Sequence, residues 1–468
     1  MWLGIILVLA IISCNSDSKK DATYFGGKII NPKSKNVVLY YFEEAIDTLT
    51  LNKENKFLGE FDSLKEGLYH FRHGNEYQYI YLESKDSLML RLNTWDFDES
   101  LVYAGKGAER NNILIDCFLE EEKENKMFYE FNKLEPKDFK VKVDSILNLK
   151  LATYDNYIKN HPKVTDGFKE IFKVSLTYPT YNKIERYPIK YAYHSNTNCF
   201  PETDENFYDY RNEINYNDEF LSSHHNYNKF LRYNLSNLSL KTHDNHDANA
   251  CYDRKSLCYN LDRLVLIDSL VTNNEIKEDL LHYYTLNFLN RNKIIKSNSS
   301  IIDYYTSISN NNEGKDKIRR YAIALNNLKA GSEFPVTKLI ATNNPETSAG
   351  NIINSPTVIC FWSQTYYDHF KESQHKINEL SNKYPEVKFV IINIDNYELD
   401  TVLKALKRNR FSLENQYQFK NPEKSKEDLA IYPMTKAFIV DKNKKIVNSK
   451  ANIFSKNFEE QLLGLINR

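Results

Sequence analysis

The last third of the chain alternates short apolar runs with helical patterns, and this alternation restricts the fold more than any other feature. Residues 356–361 form an apolar run of the kind that fills a buried parallel strand. A helical pattern over residues 367–384 follows, then an apolar run over 387–395 and a helical pattern over 399–409. Strands that alternate with helices in this way predict a sheet covered by helices.

Two more strands and a helix complete this segment. Residues 431–441 form a third apolar run, and Lys442-Asn443-Lys444-Lys445 has the composition of a hairpin turn before Ile446-Val447. Apolar residues at helical spacing over 458–466 predict a closing amphipathic helix. The predicted order is therefore β-α-β-α-β-β-α.

Two motifs lie within this order, Phe361-Trp362-Ser363-Gln364-Thr365-Tyr366-Tyr367-Asp368-His369 and Ile431-Tyr432-Pro433-Met434. They resemble the active-site turn and the cis-proline strand of thioredoxin-like lipoproteins from Bacteroidetes-type bacteria. In that family, a buried strand runs into Cys-x-x-Cys at the start of a helix, and the proline faces the turn. The resemblance implies a degenerate turn in which Tyr366 and His369 occupy the cysteine positions. It also implies a groove lined by Tyr432, Pro433 and Met434.

The missing cysteines limit the chemistry of this turn. Thioredoxin-type exchange needs an acidified thiolate and a second thiol three residues later, and a phenol and an imidazole supply neither. Cys360 lies within the predicted strand, where apolar surroundings raise the pKa of a thiol and make it inert. We therefore predict a domain without dithiol activity, with Trp362 as a core or pocket aromatic. The alternative is a thiol-disulfide oxidoreductase or peroxidase that uses Cys360 with a cysteine from another domain.

The amino terminus predicts export and a lipid anchor. Residues 2–12 form an apolar run that has the length of a signal-peptide core and is too short to span a bilayer. The run ends in Ile11-Ile12-Ser13-Cys14, which resembles a lipoprotein box. This resemblance implies cleavage before Cys14 and lipidation of that residue, with residues 15–22 as a polar tether. We expect a membrane-anchored protein of the cell envelope that faces the periplasm, on either membrane.

Charge and cysteine spacing give no further site. The chain has 62 basic and 63 acidic residues, a balance that argues against nucleic acid as a partner. Cys251 and Cys258 could close a small disulfide loop, but on one helix their sulfurs could not meet. His243-x-x-His246 near Cys251 falls in a predicted polar loop over 241–250 and lacks zinc-type spacing. We therefore predict no metal and no cofactor.

The predicted fold class is a multidomain α+β protein. Residues 23–104 contain short alternating runs, which predict a small antiparallel β-sandwich. Residues 105–331 contain apolar stripes at helical spacing, for example Phe139, Val143, Ile146 and Leu147, which predict helical hairpins in a bundle. Residues 332–468 are the thioredoxin-like domain. The acidic and basic run over 120–126 predicts a solvated helix face.

This organisation favours a binding function. The groove beside the cis-proline of a thioredoxin fold accepts an extended peptide as an added strand, and it does not depend on the cysteines. Tyr366, Tyr367, His369 and Tyr432 would line it. The expected partner is a protein or peptide of the envelope, and a purely structural role in an envelope complex stays open.

Overall fold

The structure is a computed structural model that describes residues 22–42, 44–74, 76–196, 200–244, 253–292, 295–343 and 345–466. The predicted signal peptide, Cys14, Cys199 and Cys251 lie outside these residues, as does the predicted tether up to residue 21. The chain divides into two compact units. The first contains the described residues up to Phe131 together with Val141–Thr180, and the second contains Asn132–Lys140 and the residues from Tyr181 onward. This division differs from the three predicted domains, because helical residues belong to both units.

The first unit begins with eight strands. They are β1 (Thr23–Ile30), β2 (Asn36–Tyr41), β3 (Glu44–Thr50), β4 (Lys56–Phe61), β5 (Gly67–His73), β6 (Glu76–Leu82), β7 (Ser87–Asn93) and β8 (Val102–Ala104). Three helices follow, and the later two have residues in both units: α1 (Ala108–Phe131), α2 (Pro136–Asn160) and α3 (Asp166–His194). Pro136 is thus the first residue of α2, where its fixed φ and missing N–H are tolerated.

The strands form two four-stranded sheets with the orders β4-β1-β7-β8 and β3-β2-β5-β6. Their apolar side chains share one buried cluster, as a sandwich requires, and among its members are Phe25, Leu39, Phe71 and Leu90. The prediction of a purely antiparallel sandwich is wrong at one place, because β1 pairs with β7 in parallel. Strand β1 was not predicted, since its Gly26-Gly27 pair interrupts the apolar pattern. A Cβ at Gly26 would lie 2.8 Å from the carbonyl oxygen of Phe57, so the close approach of β4 requires glycine there.

Helix α1 contains the charged run that predicted a solvated face. Glu124 in this run is buried, and Lys150 Nζ lies 2.8 Å from its carboxylate. The solvated-face prediction is therefore wrong for Glu124, because the ion pair with α2 compensates for its loss of hydration.

The second unit contains the remaining elements. After α3 come 3-10 helices at Glu205–Glu213 and Phe220–Ser223, then α4 (His225–Asp244), α5 (Leu257–Leu270), α6 (Asn274–Arg291), α7 (Ile295–Ile308) and α8 (Asn312–Asn327). The final segment contains β9 (Lys338–Ala341), β10 (Glu346–Ser348), α9 (Ala349–Ile352), β11 (Thr357–Trp362), α10 (Tyr367–Lys383), β12 (Lys388–Asn393), α11 (Leu399–Arg408), β13 (Gln416–Phe419), α12 (Pro422–Asp428), β14 (Ala437–Val440), β15 (Ile446–Ala451) and α13 (Phe458–Ile466).

The final segment has a thioredoxin-like fold. Its sheet has the order β10-β9-β13-β12-β11-β14-β15, in which β11 pairs in parallel with β12 and antiparallel with β14. Apolar clusters cover both faces: Val358, Cys360 and Trp362 pack with side chains of α10, α11 and α13, whereas Ile359 and Phe361 pack with side chains of α8, α9 and the residues that follow α12. The predicted β-α-β-α-β-β-α elements are confirmed, with β13 and α12 as an additional pair after α11.

Two element boundaries differ from the predictions. The predicted strand over 431–441 is shortened to β14, because residues 431–436 form a loop around Pro433. Helix α4 continues to Asp244, whereas a loop was predicted from Lys241. His243 therefore lies in the last turn of a helix, on a backbone with defined position.

A buried carboxylate joins three helical segments of the second unit. Glu185 of α3 accepts hydrogen bonds from Tyr210 Oη (2.8 Å), Arg211 Nε (2.8 Å), Asn234 Nδ2 (2.8 Å) and Asn237 Nδ2 (2.9 Å). Arg211 Nη2 adds a second contact of 2.5 Å, which makes the ion pair bidentate. These bonds compensate for the desolvation of Glu185, whose exposed fraction is 1%.

We expect Glu185→Gln to lower the free energy of unfolding of the second unit by about 3–5 kcal/mol, because Arg211 would keep its buried charge without a carboxylate. Urea denaturation followed by far-ultraviolet circular dichroism measures this. The exposed Glu205 on the adjacent 3-10 helix provides the control, and Glu205→Gln should change the free energy by less than about 0.5 kcal/mol. Equal effects of the two substitutions would contradict the importance of the buried pair.

Candidate functional site

The turn after β11 is held by one carboxylate. Asp395 accepts a hydrogen bond from Ser363 Oγ (2.5 Å) and another from the Gln364 backbone N–H (2.8 Å). Asn393 Nδ2 donates to the same carboxylate at 3.1 Å, and the Thr365 N–H donates to Ser363 Oγ at 3.0 Å. The turn therefore has a defined conformation although it contains no disulfide-forming residue.

Tyr366 and His369 lie where helix α10 begins. Tyr366 precedes the first residue of the helix, and 55% of its surface is exposed. His369 lies in the first turn, with its Nε2 3.1 Å from Ser373 Oγ and its ring edge-on to Phe454. Burial lowers the pKa of His369, so its imidazole is neutral at pH 7.

Cys360 lies inside the sheet and apart from the turn. Only 3% of its surface is exposed, and it packs in the apolar cluster that contains Val358 and Trp362. Burial raises the pKa of the thiol to about 12. At pH 7 the thiol is therefore protonated, which leaves almost no nucleophile.

Trp362 is a core aromatic. It is fully buried, and its ring stacks on Phe370 of α10 with centroids 4.2 Å apart. This contact fixes the first turns of α10 against β11, so Trp362 positions the turn and offers no surface to a ligand.

The peptide bond between Tyr432 and Pro433 is cis, as the family resemblance implied. The Tyr432 N–H donates to the Ala430 carbonyl at 2.9 Å, and its carbonyl accepts from Tyr321 Oη of α8 at 3.5 Å. Pro433 is exposed, and Met434 packs against the cluster around Phe361. The backbone groups on which an added strand would pair thus already have partners within the chain.

The four side chains predicted to line one groove have different neighbours. Tyr367 Oη donates to Asn409 Oδ1 at the end of α11 at 2.8 Å, whereas His369 contacts Ser373 and Phe454. Tyr432 hydrogen-bonds to Asn287 of α6, and burial raises the pKa of its phenol. Of the predicted set, Tyr366 is the large apolar side chain that is most open to a partner.

Two exposed aromatic residues near the turn were not found from the sequence. Tyr397 follows Asp395, the residue that holds the turn, and is 47% exposed; Phe454 contacts His369 and is 41% exposed. With Tyr366 they form what we call the aromatic rim. Positions 397 and 454 gave no signal in the sequence, because these residues lie in two different loops of the thioredoxin-like segment.

Lys436 is a second residue that the sequence did not indicate. It is buried, and its Nζ donates to the carbonyls of Leu429 and Ala430 at 2.8 Å each. Its ammonium lies 4.7 Å from the centroid of the Phe438 ring. Burial and the positive charge of Lys450 lower the pKa of Lys436 to about 7. Lys436 therefore ties the end of α12 to the loop that contains the cis-proline.

A cleft of about 960 Å³ lies between helices α7 and α8 and the elements β15 and α13. Lys329 and Lys450 are the titratable residues in its described lining, and the other polar residues are amides and serines. Lys450 Nζ donates to the Leu289 carbonyl at 3.1 Å. This lining offers hydrogen bonds but no pair of acid and base for catalysis.

Comparisons with known proteins give structural neighbours only. No protein-family model matches the sequence, and no curated protein matches it. A solved structure described as a thiol-disulfide oxidoreductase from Bacteroides vulgatus is 18% identical, with a TM-score of 0.27, and the match covers 30% of this chain and 97% of that chain. A solved structure described as the thiol:disulfide interchange protein DsbE from Chlorobium tepidum is 19% identical, with a TM-score of 0.26. The match covers 30% of this chain and 96% of that chain.

Another solved structure, described as the thioredoxin domain of a thiol-disulfide oxidoreductase from Bacteroides vulgatus, is 16% identical, with a TM-score of 0.26. The match covers 30% of this chain and 99% of that chain. The fold assignment rests on the strand order and helix placement of this chain, and these low scores carry no statement about activity. Among the described helices, none is both long and apolar enough to cross a membrane.

The buried Lys436 predicts a pH dependence of stability. An unfolded lysine has a pKa of about 10.4, so between about pH 7 and pH 10 the unfolded chain binds more protons than the folded chain. The free energy of unfolding should therefore rise with pH in this window, by up to about 1.4 kcal/mol per pH unit from this residue. Urea denaturation gives the free energy of unfolding of the wild type and of Lys436→Met at each pH, and the difference between the two is the contribution of Lys436. A difference that stays constant from pH 7 to pH 10 would contradict it.

Proposed function

We propose that this chain is a lipid-anchored protein of the cell envelope whose thioredoxin-like segment binds a protein or peptide partner and does not exchange disulfides. One observation carries the proposal: residues 361–369 contain no cysteine, and the adjacent Cys360 is buried with its pKa raised to about 12. The family resemblance places Tyr366 and His369 at the positions of the two redox cysteines. A thioredoxin-like turn without a thiolate retains a defined surface but lacks the nucleophile for exchange.

The anchor is supported by the sequence alone. Residues 2–12 form an apolar run and Cys14 closes a lipoprotein-like box. Several acyl chains on one cysteine would hold the protein stably on a membrane, whereas a single chain binds only marginally.

The aromatic rim is the surface that we assign to the partner. Exposed aromatic side chains combine a large apolar area with few rotatable bonds, so they lose little entropy on binding. Asp395 accepts hydrogen bonds from Ser363 and Gln364, which lie just before Tyr366, and His369 contacts Phe454. The backbone that carries the rim is therefore held by contacts within the chain. The hydrogen bonds of Tyr432 within the chain favour recognition through these side chains over strand addition at the cis-proline.

The alternative function is a thiol-disulfide oxidoreductase or peroxidase that uses Cys360. Attack by this thiol would require the sheet to open, because apolar side chains cover both faces of β11. No observation on the described residues favours that activity. A redox assay can exclude or establish it.

For the redox test, we expect the full-length protein to reduce insulin disulfides no faster than buffer with dithiothreitol alone, and Cys360→Ala to behave in the same way. The double variant Tyr366→Cys/His369→Cys is the positive control, because two thiols at the start of α10 would restore the Cys-x-x-Cys arrangement. Turnover by the wild type that is lost in Cys360→Ala would overturn the proposal and establish the alternative.

For the binding test, a photo-crosslinking amino acid replaces Tyr366 in cells, and membrane extracts are analysed by mass spectrometry after irradiation. We expect a defined crosslinked species at Tyr366 that is reduced by the added substitutions Tyr397→Ala and Phe454→Ala. Tyr193 is 75% exposed in the helical part of the same unit and is the matched control position. The same crosslinked species at Tyr193, or none at Tyr366, would contradict the assignment of the rim.

A further inference from the structure

Three side chains with metal-binding atoms converge where helices α4 and α5 pack. His243 lies in the last turn of α4, and Cys258 and Asp262 lie four residues apart at the start of α5. A ring nitrogen of His243, the Sγ atom of Cys258 and a carboxylate oxygen of Asp262 all lie within 4.8 Å of one another. Residues four apart on a helix share a face, so Cys258 and Asp262 point together toward α4.

Two of the three distances between these atoms are close to the edges of a zinc tetrahedron. With Zn–N and Zn–O bonds of about 2.0–2.1 Å and a Zn–S bond of about 2.3 Å, tetrahedral angles separate nitrogen from oxygen by about 3.3 Å and sulfur from oxygen by about 3.6 Å. His243 Nδ1 lies 3.3 Å from Asp262 Oδ2, and Cys258 Sγ lies 3.8 Å from the same oxygen. These two distances differ from the tetrahedral edges by no more than about 0.2 Å, and the nitrogen–sulfur distance lies within 4.8 Å.

From this geometry we propose that His243, Cys258 and Asp262 bind a divalent transition metal ion, with Zn²⁺ as the preferred ion. Imidazole, thiolate and carboxylate together are a ligand set that zinc accepts, whereas Ca²⁺ and Mg²⁺ prefer oxygen ligands alone. Binding releases the Cys258 thiol proton to solvent, and the thiolate forms the Zn–S bond. Cys258 is exposed, so water can occupy the fourth position of the tetrahedron.

The surroundings orient the histidine for this role. His243 is buried, and its ring lies edge-on to Tyr259 with centroids 6.2 Å apart. A ligand whose ring is already fixed loses little conformational entropy when the metal binds. The bound ion would bridge the end of α4 and the start of α5, and it would stabilise the folded state in proportion to its free concentration.

The linear spacing of His243-x-x-His246 predicted no metal site, and the proposed site does not depend on that spacing. It uses one residue from that motif and two from the next helix, which come together only because α4 and α5 pack side by side. The site also shares no residue with the aromatic rim, so a failure of the proposed function would leave it unaffected.

The test measures zinc and cobalt binding by the full-length chain after chelation and dialysis. Competition with a chromogenic zinc chelator gives stoichiometry and affinity, and Co²⁺ gives a near-ultraviolet charge-transfer band when a thiolate is a ligand. We expect one Zn²⁺ per chain and a thiolate band with Co²⁺. Cys258→Ser should remove the band, and Cys258→Ser and Asp262→Asn should each weaken zinc binding by at least about 100-fold, since each removes a direct ligand.

Two controls separate this site from other thiols and carboxylates. Cys117→Ser removes a cysteine of the first unit, and Asp268→Asn alters a carboxylate on α5 that pairs with Lys277. Both should leave zinc affinity within about twofold of the wild type, and circular dichroism checks that every variant is folded. Zinc uptake that persists in Cys258→Ser/Asp262→Asn, a Co²⁺ spectrum without a thiolate band, or an equal loss in the controls would overturn the proposal.

Discussion

The burial of strand β11 on both faces is the constraint on which the candidate site depends. All six residues of Thr357–Trp362 are buried, because helices cover the sheet on each side. A side chain within the strand, including Cys360, is therefore removed from solvent. Chemistry or binding at this edge has to use the turn, which begins after Trp362 and is held by Asp395.

Buried charges compensated by hydrogen bonds fix the loops and helices around this sheet. Glu185 joins α3 to the 3-10 helix at Glu205–Glu213 through the ion pair with Arg211 and to α4 through Asn234. Lys436 joins the end of α12 to the cis-proline loop through two backbone carbonyls. Each charged group loses hydration and regains hydrogen bonds only in the native arrangement. Such groups specify the positions of irregular segments more strictly than apolar packing alone does.

The regular elements of the thioredoxin-like segment could be predicted because their periodicity is strong. Helix α10 was expected over 367–384 and is observed as Tyr367–Lys383, and α13 was expected over 458–466 and is observed over the same residues. Strand β1 was missed because glycines interrupt its pattern, and its parallel pairing with β7 joins strands that are distant in the sequence. Local patterns carry no information on such pairings.

The sequence by itself determined that the turn over 361–369 contains no thiol, since none of these residues is a cysteine. It also determined the elements of strong periodicity in the last third of the chain, such as α10 and α13. Only the tertiary structure decided that Phe454 contacts His369 beside the turn and that His243, Cys258 and Asp262 converge. The physical reason is that periodicity reports which face of an element is apolar, whereas distances between side chains on different elements depend on how those elements pack.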